Sequence, residues 1–262
     1  MNRHASRLVT VLLVLSLAAL PVFLGLADGA DDKAPGSLSA LQILKKCDDF
    51  HHGYEDSYMK LLTVIKDKDG NKSELGSEMW EKGEKRLMVF SDPPDISGMA
   101  VLTKDIDTIY VYEPEFNKVR RVAAHAKKQT MFGMDYTMDE SAQMHLHKQY
   151  DVKMLSEDAT EAVLLLEQKS GLDKAWPKLK VFVDKENHWI SKKIEYLDKK
   201  GKKHKTEVRK GVKKMGGRTV TSIMAMKDHG KKHSTTIIMK AAKFNKGLSD
   251  KMFTKRYLVR EE

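Results

Sequence analysis

From Tyr150 to Ala242 the sequence repeats one pattern, a short run of β-forming residues followed by a tight turn. Tyr150–Leu155, Ala162–Lys169, Lys178–Asp184 and Ile190–Leu197 come first. The turn at 198–201 leads to Thr206–Lys213, Gly216-Gly217 to Arg218–Lys227, and His229-Gly230 to Ser234–Ala242. No helical stretch separates these runs. Parallel neighbours need long crossover connections, so these strands pair antiparallel, as a meander. The first half follows the same rule. Ser57–Asp67 turns at 68–71. Leu75–Lys82 turns at Gly83-Glu84 into Lys85–Ser91, which Pro93-Pro94 ends because proline cannot donate to a ladder. Gly98–Thr103, Thr108–Tyr112 and Lys118–Ala123 follow. A dozen or so antiparallel strands in one sheet must curl, split or close.

Two segments break this rhythm. Ser39 and Gln42 form a capping-box pair, and Ala40, Ile43, Leu44, Cys47 and Phe50 then share one helical face up to His51-His52-Gly53. Thr137 and Glu140 form a second such pair, ahead of a short helix through about His147. These helices are left to cover one sheet face or an open edge. Gly133 sits where strand gives way to helix and predicts a special backbone angle or close packing. The fold expected is mainly β: an incomplete, unclosed antiparallel barrel lidded by a few helices. Alternation such as Lys180 and Asp184 beside Val181 and Val183 predicts one wet face and one dry face.

The N-terminus reads as a secretory signal peptide over residues 1–27. Arg3, His4 and Arg7 precede the uncharged run Leu8–Leu20, then Pro21 and small residues. That run is short for a bilayer span, which needs about 20 residues. Residues 28–38 read as a flexible linker and 39–262 as the folded domain, placed in the periplasm. The single cysteine, Cys47, excludes an internal disulfide and reads as a small buried apolar residue. The net charge of +10 is densest from Lys199 to Lys214. Export argues against nucleic acid as the partner. Attraction to anionic lipid head groups, as a transient membrane-surface contact, suits the compartment better, and a solvated surface is the plainer reading of the same charge. Fifteen methionines are unusually many and fit either core filling or a plastic cavity wall.

No G-x-S-x-G elbow, Gly-rich phosphate loop or H-E-x-x-H is present. His145 and His147 would point to different helical faces, while His51-His52, His229 and His233 read as polar turn residues. Asp135, Asp139 and Glu140 could pair as acids, but Glu140 already has its capping role. The chain therefore reads as a non-enzymatic binding protein without metal or cofactor. The candidate ligand-binding residues are alternate positions of the strands: Met59, Leu61, Trp80, Met88, Phe90, Val101, Ile109, Val111, Val181, Val183, Met224, Met226, Ile237 and Met239. Tyr110, Tyr112 and Phe182 are the opposite-parity alternatives, because a one-residue slip flips a whole set.

Four ordered segments carry a resemblance: PPDISGMAVLT at Pro93–Thr103 leading to IYVY, YEPEFNKVRRV at Tyr112–Val122, MFGMDYTMDE at Met131–Glu140, and KFNKGLSDKMFTKRYLV near the C-terminus. Together, from Ser39 onward, they resemble the outer-membrane lipoprotein-sorting proteins of the LolA-like superfamily. That resemblance implies a helix-lidded half-barrel whose apolar cavity shelters acyl chains across the periplasm of a Gram-negative cell. It implies lipoprotein or lipid acyl chains as cargo, with an inner-membrane transporter and an outer-membrane acceptor as partners. It also implies an arginine holding the lid shut, for which Arg86, Arg120 and Arg121 are candidates. A sensor or interaction module with a protein partner, as in the sigma-factor regulatory relatives, is the alternative on the same scaffold.

Overall fold

Ser39 opens the first helix as its sequence requires. Its hydroxyl accepts from Gln42 N and the Gln42 side chain accepts from Ser39 N at 2.7 Å, and helix α1 runs Ala40–His52. A computed structural model of the protein describes residues 37–259. The signal peptide assigned to 1–27 and nearly all of the linker lie outside the described residues.

The strands form one thirteen-stranded antiparallel sheet. β1 (Asp56–Lys66), β2 (Lys72–Lys82), β3 (Lys85–Asp92), β4 (Ala100–Asp105), β5 (Thr108–Glu113) and β6 (Lys118–Arg121) make one meander. β7 (Tyr150–Glu157), β8 (Glu161–Gln168), β9 (Lys178–Asp184), β10 (Ile190–Leu197), β11 (Lys203–Met215), β12 (Arg218–Asp228) and β13 (His233–Phe244) make the other. β1 pairs with β13, joining the two. β6 and β7 are the free ends, so the barrel stays open. A bulge between Lys60 and Leu61 shifts the register with β13, so Leu61 faces Met239 while Met59 faces Ala242.

The concave face is covered by two pieces. α1 packs Ile43, Leu44 and Cys47 against Leu164, Leu179, Val181 and Ile194. The segment joining the two meanders lays Met131, Met134 and Ala142 over Ile65, Phe90, Val101 and Ile109. Gly133 within it has φ +74°, a left-handed angle that glycine adopts without penalty. The sequence predicted one helix from Thr137 to about His147. The structure breaks it into α2 (Met138–Ala142) and α3 (Leu146–Gln149), with extended backbone at Gln143 and His145. The carboxylate of Asp48 on α1 accepts from Leu146 N and His147 N at 3.1 and 2.9 Å, starting α3 separately. The C-terminal turn Asp250–Phe253 and helix α4 (Lys255–Leu258) pack on the opposite, convex face, over Leu87 and Leu102.

Trp80 is corrected by this arrangement. Met79 pairs with Met59 on one side and Met88 on the other, all concave, so Trp80 falls on the convex face beside Tyr58. The division into a wet and a dry face also needs correction. β11 turns Lys205, Glu207 and Arg209 inward and leaves Val208 and Val212 39% and 46% exposed.

The Thr137 cap holds both of its hydrogen bonds in a buried setting, with Glu140 N donating to Thr137 Oγ1 at 3.0 Å. Thr137→Ala is expected to lower stability by about 1 kcal/mol, read as a lower urea midpoint at unchanged slope.

Candidate functional site

Between the two covers a cavity of about 170 Å³ remains over the middle of the concave face. Its floor is strands β1, β13 and β12, which contribute Met59, Leu61, Ile237, Met239 and Met224. Met79 and Met88 enter from β2 and β3, and Met131, Met134 and Met144 from the cover. More than half of the chain's fifteen methionines therefore meet at one place. Unbranched thioether side chains fill irregular space and re-pack around varied contents.

The candidate residues divide into three groups. Met59, Leu61, Met88, Val181, Met224, Ile237 and Met239 line the cavity. Phe90, Val101, Ile109 and Val111 share the concave face but are covered by the Met131–Ala142 segment, while Val183 and Met226 belong to the core under α1. Trp80 stands apart on the convex side. Tyr110 packs on the convex face too, and Lys193 Nζ lies 3.5 Å from the centre of the Phe182 ring.

Sequence patterning missed the polar half of the lining. Arg86 on β3 pairs with the Glu81 carboxylate through Nη2 and, at 2.6 Å, through Nε. The Tyr54 hydroxyl donates to the same carboxylate. Burial alone would raise the Glu81 pKa, but Arg86, with His52 and Tyr54, holds it well below the usual carboxylate range. Arg86 Nη1 also donates to the Ser141 carbonyl of α2. One side chain thus ties the cover to the sheet and neutralises a buried acid. Across the cavity, Arg209 Nε donates to Glu207 at 2.5 Å and Arg209 Nη1 to Ser191 Oγ at 2.9 Å. His51 contacts the same Ser191 hydroxyl at 3.0 Å. Burial, followed by the charge of Arg209, pushes the His51 pKa well down, so its imidazole is neutral. Arg218 Nη1 donates to the Gly53 carbonyl at 2.7 Å and fastens the end of α1. The signal for Arg86 lay in the hairpin itself, whose turn at Gly83-Glu84 puts Glu81 opposite Arg86.

The acids at 135–140 are each separately engaged. Asp135 meets His233 and Thr235, Asp139 meets Lys174 at 2.6 Å, and Glu140 meets Lys205 at 3.1 Å. Among the described residues, no cluster of three or more His, Cys, Asp or Glu is arranged to hold a metal ion. Cys47 is buried in α1, and burial raises its thiol pKa strongly.

A thirteen-stranded open sheet closed over by an N-terminal helix and a crossing segment is the LolA-like fold. A family model described as that of an uncharacterized protein matches residues 82–260, and the chain belongs to that family. A domain from Vibrio parahaemolyticus described as an outer membrane lipoprotein-sorting protein superposes with TM-score 0.76 at 22% identity. That match covers 84% of this chain and 98% of the Vibrio chain. A DUF1329 family protein from Desulfovibrio piger gives TM-score 0.76 at 20% identity, over 84% and 97% of the two chains. A LolA superfamily protein from Nitrosomonas europaea gives 0.71 at 18% identity, over 84% and 100%. No curated protein matches.

Removing Arg86 strands a buried carboxylate. Arg86→Gln is expected to destabilise by about 3 kcal/mol at neutral pH. In the wild type Glu81 is ionised, and its contribution is lost only as pH falls through its depressed pKa. In the variant the largest lowering influence is gone, Glu81 can relieve its burial penalty by taking a proton, and the gap to wild type narrows as pH falls. Urea midpoints of both proteins across pH check this. A gap independent of pH would contradict it.

Proposed function

We propose that the protein is a periplasmic carrier that shelters acyl chains of lipoproteins or lipids in transit towards the outer membrane. The observation that carries this reading is the methionine-walled cavity on the concave face, closed by a cover that Arg86 and Lys205 tie to the sheet. An apolar wall with a polar margin suits an acyl chain whose head group stays near the cavity mouth. Pockets that enclose drug-sized ligands span roughly 300–1,000 Å³. The present cavity is smaller, so loading requires the Met131–Met144 segment to lift. Its bonds to Arg86, to Lys205 and to His233 and Thr235 are the contacts that must break. Delivery by an inner-membrane transporter and receipt by an outer-membrane acceptor complete the cycle.

A fluorescent fatty-acyl probe should bind saturably and be displaced by phospholipid or lipopeptide. Leu61→Trp or Met239→Trp fills the floor. Excluding two methylenes of ligand from burial, at about 0.8 kcal/mol each, corresponds to roughly tenfold weaker binding. Unchanged thermal unfolding would show that the fold survives.

The covers fill both flanks of the concave face with the protein's own side chains, and this favours a second reading, an interaction module that binds a protein partner. Absence of saturable acyl binding in the wild type would decide for it. Export itself is tested by N-terminal sequencing of the protein from its own cells. A mature chain that starts near residue 28 is the expected result, and one that starts at Met1 overturns the periplasmic placement.

A further inference from the structure

The convex face differs between the two meanders. Over β2–β5 it is covered by the C-terminal segment. Over β1, β13, β12 and β11 it is open, and its composition is unusual. Cross-strand register lines up Val64, Thr236, Ala225 and Val208 in one row, and Leu62, Ile238, Ile223 and Lys210 in the next. These apolar rows are partly to fully exposed. Lys66 and Lys227 flank them on one side and Lys60, Lys240 and Lys243 on the other, all exposed. Between Tyr58 and Lys66, and along the outward positions of β11, β12 and β13, there is no Asp or Glu.

None of these six lysines has a carboxylate within ion-pair distance among the described residues, and Lys243 Nζ lies 5.9 Å from the centre of the Tyr58 ring. On the other meander some surface lysines are paired, as Lys178 with Glu167 and Lys192 with Glu161, both at 2.8 Å. Acids return only at the borders. There, on β2, Glu74 faces Val64 and Glu78 faces Lys60, with Glu78 accepting from the Tyr58 hydroxyl at 2.7 Å, and on β10 Glu195 accepts from Lys203 at 3.3 Å. Lysines often protect sheet edges from unwanted pairing. These strands lie in the interior of the sheet, so edge protection does not account for them.

We infer that this convex patch of β1 and β11–β13 docks on an anionic lipid surface. An aliphatic centre rimmed by lysines that form no ion pair is complementary to phosphate head groups over acyl chains. Long lysine stems can lie along the apolar rows and carry their ammonium groups outward. The composition argues against a protein partner. Protein interfaces are enriched in aromatic residues, methionine and arginine and depleted in lysine, whereas this patch is lysine and aliphatics with one aromatic, Tyr58, at its edge. The patch faces away from the cavity, so the inference stands independently of the carrier reading. It orients the protein with its convex side on the bilayer and its cavity turned away.

Vesicle co-sedimentation tests it, with the protein as its own cells make it. The expected result is binding to vesicles containing phosphatidylglycerol but not to pure phosphatidylcholine. Binding should fall at least about tenfold when salt shrinks the Debye length to a few Å. A variant with Lys66, Lys210, Lys227 and Lys240 changed to Gln should lose it by about tenfold or more, with acyl-probe binding and thermal unfolding unchanged. A control with the ion-paired Lys178 and Lys192 changed to Gln should sediment as wild type. Equal binding to both vesicle types, or equal binding by the patch variant, overturns the inference. So does salt-sensitive binding to soluble polyglutamate without vesicle binding, which would assign the patch to an acidic protein.

Discussion

The ladder between β1 and β13 is the interaction on which the rest depends. Without it there are two separate meanders, each with an apolar face too small to enclose anything. With it, the first and last strands become the centre of one sheet and the floor of the cavity. The bulge at Lys60/Leu61 is part of the same device. It changes the parity of β13, so that Met239 and Ala242, three positions apart, both reach the concave side. Close approach continues at Gly216, where a Cβ would lie 2.5 Å from the Ala242 carbonyl oxygen. Only glycine lets the β11–β12 turn sit against the end of β13.

A concave apolar face in an open sheet must also be roofed. α1 does this with a continuous apolar stripe. The crossing segment buries Met131, Met134, Tyr136, Ala142 and Met144 and is held by charge as well. Arg86 to Ser141 and Lys205 to Glu140 and the Asp135 carbonyl join it to the sheet. Desolvating such groups is expensive, and a buried ion pair adds little net stability over a well-packed apolar pair. Its contribution is to geometry. A directional hydrogen bond fixes where the roof sits and gives it a discrete contact to release. A purely apolar roof would offer a continuum of positions.

Much of this was legible in the residues. Strand runs, turns and both capping boxes follow local rules, and the structure places them within a few residues. Alternation assigned the concave face correctly on β1, β3, β4, β5, β9, β12 and β13. It failed on β2, because the apolar Trp80 outweighed the pairing that puts Glu81 opposite Arg86. It failed again on β11, where the inward residues are Lys205, Glu207 and Arg209. Hydrophobic patterning assumes that charge marks solvent, and a buried, mutually neutralised pair defeats that assumption. The break between α2 and α3 was hidden for a related reason. It depends on Asp48, almost a hundred positions away in sequence, and no local window contains it.

The gathering of thioethers around one cavity has a chemical consequence. Methionine sulfur is the apolar side-chain atom most readily oxidised, and its sulfoxide is polar and chiral. Met59, Met79, Met88, Met224 and Met239 therefore give the wall adaptability that leucine could not, together with a liability that leucine would not have. Each oxygen added would turn part of an oily surface into a hydrogen-bond acceptor. The affinity of this interior for apolar matter is thereby tied to the redox history of the molecule.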